Sequence, residues 1–185
     1  MRRPRREITK KCDVCGSPLA SRRTSREAPY AYVIGGLPRV GLVGITGHRC
    51  ATCDVDAPVI PKPGELHRLL ARLFLQKPGP LAGEELRFLR KHAGMPAQDF
   101  SALLGVNPAH LSRIENGKIE ALGAASDRLA RAIVSALVFA ENKDSQFVRD
   151  VLLRAAEEGP KGIRRPLVKM DKKRNRWVEE PPTAA

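Results

Sequence analysis

The chain has 185 residues, a formal net charge of +13 and only 4% aromatic residues. That length holds one medium or two small domains, and no stretch approaches the ~20 apolar residues of a membrane span, so a soluble, cytoplasmic protein is expected. The excess of Lys and Arg predicts a polyanionic partner. With few aromatic platforms for single strands, duplex DNA fits better, because its grooves and phosphates need only Lys, Arg and helix ends.

Residues 1–9 are a basic arm without an apolar h-region, which argues against export to an oxidising compartment. Residues 10–62 contain all four cysteines, Cys12, Cys15, Cys50 and Cys53, as two Cys-x-x-Cys pairs. A two-residue spacer lets one tight turn aim two sulfurs at one ion, and two such turns complete a tetrahedron. The expectation is one structural Zn²⁺ with no open coordination position, a scaffold and not a catalyst. Two disulfides would need an oxidising compartment, and a redox pair would need a single Cys-x-x-Cys opening a helix in an α/β pattern. His48 lies outside the paired turns and reads as a surface residue. Alternating runs at Tyr30 to Ile34 and Val40 to Val43, broken by Gly35-Gly36 and Gly44, predict strands and hairpins. So small a core is marginal without a staple, which the metal would supply.

Residues 63–80 read as a connecting helix, with Leu66, Leu69, Leu70, Leu73 and Phe74 at helical spacing, closed by Lys77-Pro78-Gly79-Pro80. Flanked by breakers on both sides, it is expected to be a discrete spacer. Residues 81–158 are helical throughout, with five short helices at about 83–93, 96–104, 108–116, 124–139 and 145–157. Residues 159–185 form a basic tail. Its composition fits disorder, while Leu167 to Met170 and Arg176 to Val178 around the turn-like Asp171 to Asn175 fit a small hairpin, and both readings stand. The fold class expected is a small β-rich zinc ribbon followed by an all-α, five-helix domain. No enzyme is expected: there is no nucleophile with a nearby base, no carboxylate pair in a cleft-like context and no phosphate loop.

The most informative run is Leu103-Leu104-Gly105-Val106-Asn107-Pro108-Ala109-His110-Leu111-Ser112-Arg113-Ile114-Glu115-Asn116-Gly117-Lys118. Gly105 suits a left-handed turn after one helix, Asn107 an N-cap for the next, and Pro108 its first position. Leu103, Leu111 and Ile114 fall on one face as core contacts and leave His110, Ser112 and Arg113 pointing away. The run resembles the phage-repressor (XRE) helix-turn-helix family, which implies that the outward face enters the major groove. Arg113 is then the candidate for a bidentate guanine contact, with Ser112 and His110 as base or phosphate contacts and Ala109 against thymine methyls. Gln98, Asn107, Asn116 and Lys118 are the phosphate candidates. The resemblance also implies a structural ion pair between Arg90 and Glu115. The chain departs from the family at Ala97, where a glutamine is common, and at Pro108 and Ala109, which replace polar base contacts.

The order ribbon, connecting helix, XRE domain resembles the MqsA family of antitoxin regulators with its YgiT-type zinc finger. The match rests on Cys12-Asp13-Val14-Cys15-Gly16, on Tyr30, and on Val43-Gly44-Ile45-Thr46-Gly47-His48-Arg49-Cys50-Ala51-Thr52-Cys53, and covers about residues 10–140. It implies a homodimeric repressor on a palindromic operator, with a protein toxin bound through the zinc domain in many members. Toxins of such systems are often basic ribonucleases, and this first segment is itself basic, so a stand-alone regulator built from the same two modules is the alternative.

Overall fold

A computed structural model describes residues 11–139, Val151 and 166–181. A β-rich N-terminal region leads into five helices, and a final hairpin returns to the start of the fold. The strands are β1 (Leu19–Arg23), β2 (Tyr30–Tyr32), β3 (Leu37–Val43), β4 (Thr46–Cys50) and β5 (Asp56–Val59). The helices are α1 (Pro63–Leu75), α2 (Gly83–His92), α3 (Ala97–Leu103), α4 (Pro108–Glu115) and α5 (Ala124–Val138), followed by β6 (Leu167–Asp171) and β7 (Arg176–Glu179).

The strands make two sheets. One is antiparallel, in the order β1-β4-β5, and the other has the order β2-β3-β6-β7, with β6 running parallel to β3. They meet at a corner where Gly44 takes φ +78° and the buried Thr24 bonds Ile45 through both backbone and hydroxyl. A left-handed residue costs glycine least, so the corner falls where the sequence breaks between Val43 and Ile45. The run Tyr30 to Ile34 does not continue as a strand. After Tyr32 the chain enters a 3₁₀ turn, Val33–Gly35, and leaves Val33 and Ile34 exposed. Gly35 lies under the Tyr32 ring so closely that a Cβ would meet Cε1 at 2.3 Å.

The core is one continuous cluster. Leu37, Val40 and Leu42 of β3 pack with Leu66, Leu70 and Phe74 of α1, with Leu86 and Leu89 of α2, and with Val168 and Trp177 of the final hairpin. The segment expected as a discrete spacer is therefore a packed element: the apolar stripe of α1 lies against α2, α5 and β7. Its Leu spacing marks a buried face, which a solvated spacer would not need.

The break after α1 is held from below. Arg131, fully buried on α5, pairs with Asp127 at 2.8 Å and donates to the carbonyls of Phe74, Leu75, Lys77 and Gly79. Asp127 also accepts from the Leu81 amide at 2.9 Å. Proline leaves no amide to close this turn itself, and the guanidinium satisfies the carbonyls that end α1.

The tail forms the hairpin, β6 paired to β7, and not a disordered segment across 166–181. Trp177 is buried and its indole N–H donates to the Pro61 carbonyl at 2.8 Å. The fifth helix expected at 145–157 lies outside the described residues except Val151, which is helical and buried.

Candidate metal centre and DNA-reading helix

Two turns of the same construction bring the cysteines together. In the first, the Gly16 amide bonds the Cys12 carbonyl at 2.8 Å. In the second, the Asp54 amide bonds the Cys50 carbonyl at 3.0 Å. Each turn ends on a left-handed residue, Gly16 at φ +72° and Asp54 at +57°. Asp54 accepts from Arg49 Nε at 2.7 Å, which holds a non-glycine residue in that conformation. β4 carries Cys50 directly into the second turn, and the bridge between Lys11 and Pro18 closes the first.

The four Sγ atoms lie within 4.8 Å of one another. Cys12 and Cys53 stand 3.5 Å apart, Cys15 and Cys50 3.4 Å, and Cys15 and Cys53 3.7 Å. A tetrahedron with metal–sulfur bonds near 2.3 Å has edges of about 3.8 Å, whereas a disulfide needs about 2.05 Å. The spacing thus fits a shared ion. Amides of Cys53 and Thr52 draw the Cys50 thiol down to about 6, while thiol contacts from Cys12 and Cys50 push Cys53 up to about 12. Hydrogen bonds from the Ser17 side chain and backbone draw the Cys15 thiol down as well. Among the described residues His48 is not part of the cluster.

The helix-turn-helix is α3, a turn at Gly105, and α4. Gly105 takes φ +65°, and the Val106 amide closes the turn on the Ser101 carbonyl at 3.0 Å. The Asn107 side chain accepts from the Ala109 amide at 2.8 Å and starts α4, with Pro108 in its first turn. Asn107 acts here as the N-cap.

Leu111 and Ile114 are fully buried and seat α4. Leu103, expected on the same inner face, is 54% exposed, and its neighbour Leu104 takes the core position. The reason is rotation: Phe100, Ser101 and Leu104 mark the buried arc of α3, and Leu103 falls off its edge. The opposite side of α4 presents Ala109, His110, Ser112 and Arg113 to solvent, with Asn116, Lys118 and Gln98 exposed at the margins.

Not all of these side chains are equally available. Asn116 donates to the Ser112 carbonyl at 2.7 Å and to its hydroxyl at 3.3 Å, and accepts from Arg87. Among the described residues Arg113 and Lys118 have no such partner. Arg90 meets Glu115 in a two-pronged pair, Nε to Oε1 at 2.7 Å and Nη2 to Oε2 at 2.8 Å, and also bonds the Met95 carbonyl at 2.8 Å. The carboxylate holds the Arg90 pKa above its ordinary value. This pair fixes the end of α4 to the end of α2. Gly83, at the start of α2, brings the helices so close that a Cβ there would stand 1.9 Å from the Ile114 carbonyl oxygen.

Sequence reasoning missed Asp127 and Arg131, Gly83, and a ring cluster in which the Tyr32 hydroxyl meets His67 Nε2 at 2.7 Å and His67 and His92 pack against Phe88. A signal existed for the first: Asp127 and Arg131 stand four apart on the face that also carries Ala130 and Val134.

A model of a helix-turn-helix domain matches residues 81–137. That span holds α2 to α4 and nearly all of α5, so this part of the chain is similar to helix-turn-helix domains. No curated protein and no solved structure matches the chain. Among the described residues no helix is long and apolar enough to cross a membrane.

Proposed function

We propose that this protein is a sequence-specific, duplex-DNA-binding transcriptional repressor, homodimeric on a palindromic operator and carrying one structural Zn²⁺. The observation that supports it is the division of α4: Leu111, Ile114 and Glu115 are buried and paired, while Ala109, His110, Ser112 and Arg113 form a solvent face. An eight-residue helix of about 12 Å reaches few base pairs, so two copies on two half-sites are needed for affinity. Arg113 is the base reader, Ser112, His110 and Ala109 assist it, and Gln98, Lys118 and Asn116 meet phosphates. Within residues 10–62 the sheet β1-β4-β5 and its cysteine turns form the metal-stabilised part, and residues 81–158 form the DNA-binding module.

The role as antitoxin and autoregulator of a toxin–antitoxin operon follows from the resemblance to the MqsA family. A stand-alone regulator is the second reading. What favours it is the exposed basic end of β1, where Arg22 and Arg23 would repel a basic toxin. Coexpression with the product of the adjacent reading frame separates the two, since a stable complex selects the antitoxin.

Binding of a fluorescent duplex tests the core proposal. Affinity should fall steeply with salt and drop on Arg113→Ala, whereas preference for structured RNA would overturn it. Metal analysis of the purified chain should give one zinc per chain, lost on Cys50→Ser.

A further inference from the structure

The basic tail is a built element. Between β6 and β7 the chain turns through Lys172, Lys173, Arg174 and Asn175, all exposed, and Arg176 follows at the start of β7. The turn is braced from within: the Asp171 carboxylate accepts the amides of Lys173 at 2.9 Å and Arg174 at 3.2 Å, and Asn175 takes φ +48°. The Arg174 amide, first of all, holds the Asp171 carboxyl below its ordinary range. Among the described residues only Arg174 of these four cations shares a carboxylate, Asp171 at 3.8 Å.

The tip is also tied to the body of the molecule. Lys62 Nζ donates to the Asn175 carbonyl at 2.7 Å, and Trp177 is bonded to Pro61, so the turn sits at the start of α1. α1 runs antiparallel to α2, because His67 packs on His92 and Phe74 on Phe88. The start of α1 is therefore beside the end of α2. That end carries the exposed Lys91 and, five residues beyond His92, the start of α3 with the exposed Gln98.

We propose that the β6–β7 turn is a second contact to DNA, in which Lys172, Lys173 and Arg174 neutralise phosphates flanking the site read by α4. The inference rests on the regulator reading above. Four cations on a braced turn suit a polyanion with regularly spaced charges. Holding the turn in the fold removes most of the ordering cost that a disordered tail would meet on binding. The contact adds affinity without sequence information, because phosphates carry none.

The test compares the unaltered chain with the triple variant Lys172→Ala, Lys173→Ala, Arg174→Ala on a 30-base-pair duplex of mixed sequence, titrated across a fourfold range of salt. Trp177 is the one tryptophan in the chain, so its emission shows whether the hairpin is still docked. Three lost phosphate contacts lower the slope of log K against log salt by about 2.7, and the unaltered chain then loses roughly forty-fold more affinity than the variant over that range. An unchanged slope with unchanged Trp177 emission overturns the proposal. Should the variant lose binding to a structured RNA while its duplex binding stays the same, the contact belongs to RNA and the proposal is overturned as well. Failure of the unaltered chain to bind any duplex would instead remove the regulator reading on which it stands, an outcome separate from an unchanged slope.

Discussion

At the scale of single residues, the fold depends on two buried arginines that do different work. Arg90 ties two helices of the helix-turn-helix domain through Glu115, and Arg131 gathers the carbonyls at the end of α1 with Asp127 as its counter-charge. Removing one partner of such a pair leaves an uncompensated buried charge, which costs about 3–5 kcal/mol. Asp127→Ala should therefore lower stability by that order in denaturant unfolding followed at Trp177. It should also free the Leu81 amide that Asp127 now holds. Asp127→Leu combined with Arg131→Met should not recover the loss, because it also leaves without a partner the carbonyls that Arg131 satisfies and the Leu81 amide. Arg113 differs from both, being exposed, and Arg113→Ala should leave stability nearly unchanged.

At the scale of elements, the cysteine sheet and the ring cluster respond to different conditions. The strands β1, β4 and β5 lie outside the main core, which their sheet meets through Ile45 and through Ile60 just after β5, so their order depends on the cysteine cluster. Chelation should speed amide hydrogen exchange in β4 and β5 while Trp177 emission stays as it was. Loss of both together would show that the metal holds the whole fold.

The rings answer to pH. Burial lowers the pKa of His67 and of His92 below the ordinary 6.5, with His67 and then Arg68 adding to the effect on His92. The unfolded chain then binds protons more readily than the folded one. The contribution of these rings is complete above pH 6.5 and is lost as pH falls through the lowered folded values. Unfolding midpoints should drop between pH 7.5 and 5.5, and His92→Phe, which keeps the stack on Phe88, should reduce that drop.

At the scale of the molecule, the chain closes on itself. The parallel pairing of β6 with β3 joins the C-terminal segment to the N-terminal sheet, and Arg26 reinforces the join by meeting Glu180 at 3.7 Å. Truncation before Pro166 should uncover the β3 edge beside Leu42 and lower the thermal midpoint by several degrees.

This closure marks the limit of what the sequence made legible. The cysteine turns, Gly105, Asn107 and the apolar face of α4 are local patterns, visible because neighbours in the chain are neighbours in space. Leu103 was misplaced by one residue, since a seven-residue helix fixes its buried arc poorly. The packing of α1 on β7, the Arg131 contacts and the β3–β6 pairing join residues more than 50 apart, and nothing in the local pattern carries that information. What the closure does for function is hold α4 on a frame built from both ends of the chain.

The central claim is that the outer face of α4 reads duplex DNA, and selection from a random duplex library tests it most directly. The unaltered protein should enrich a palindromic motif, and Arg113→Ala should relax the preference at one position in each half-site, by about 1–3 kcal/mol of discrimination. Enrichment of no motif, or of the same motif with the same stringency by the variant, would contradict it.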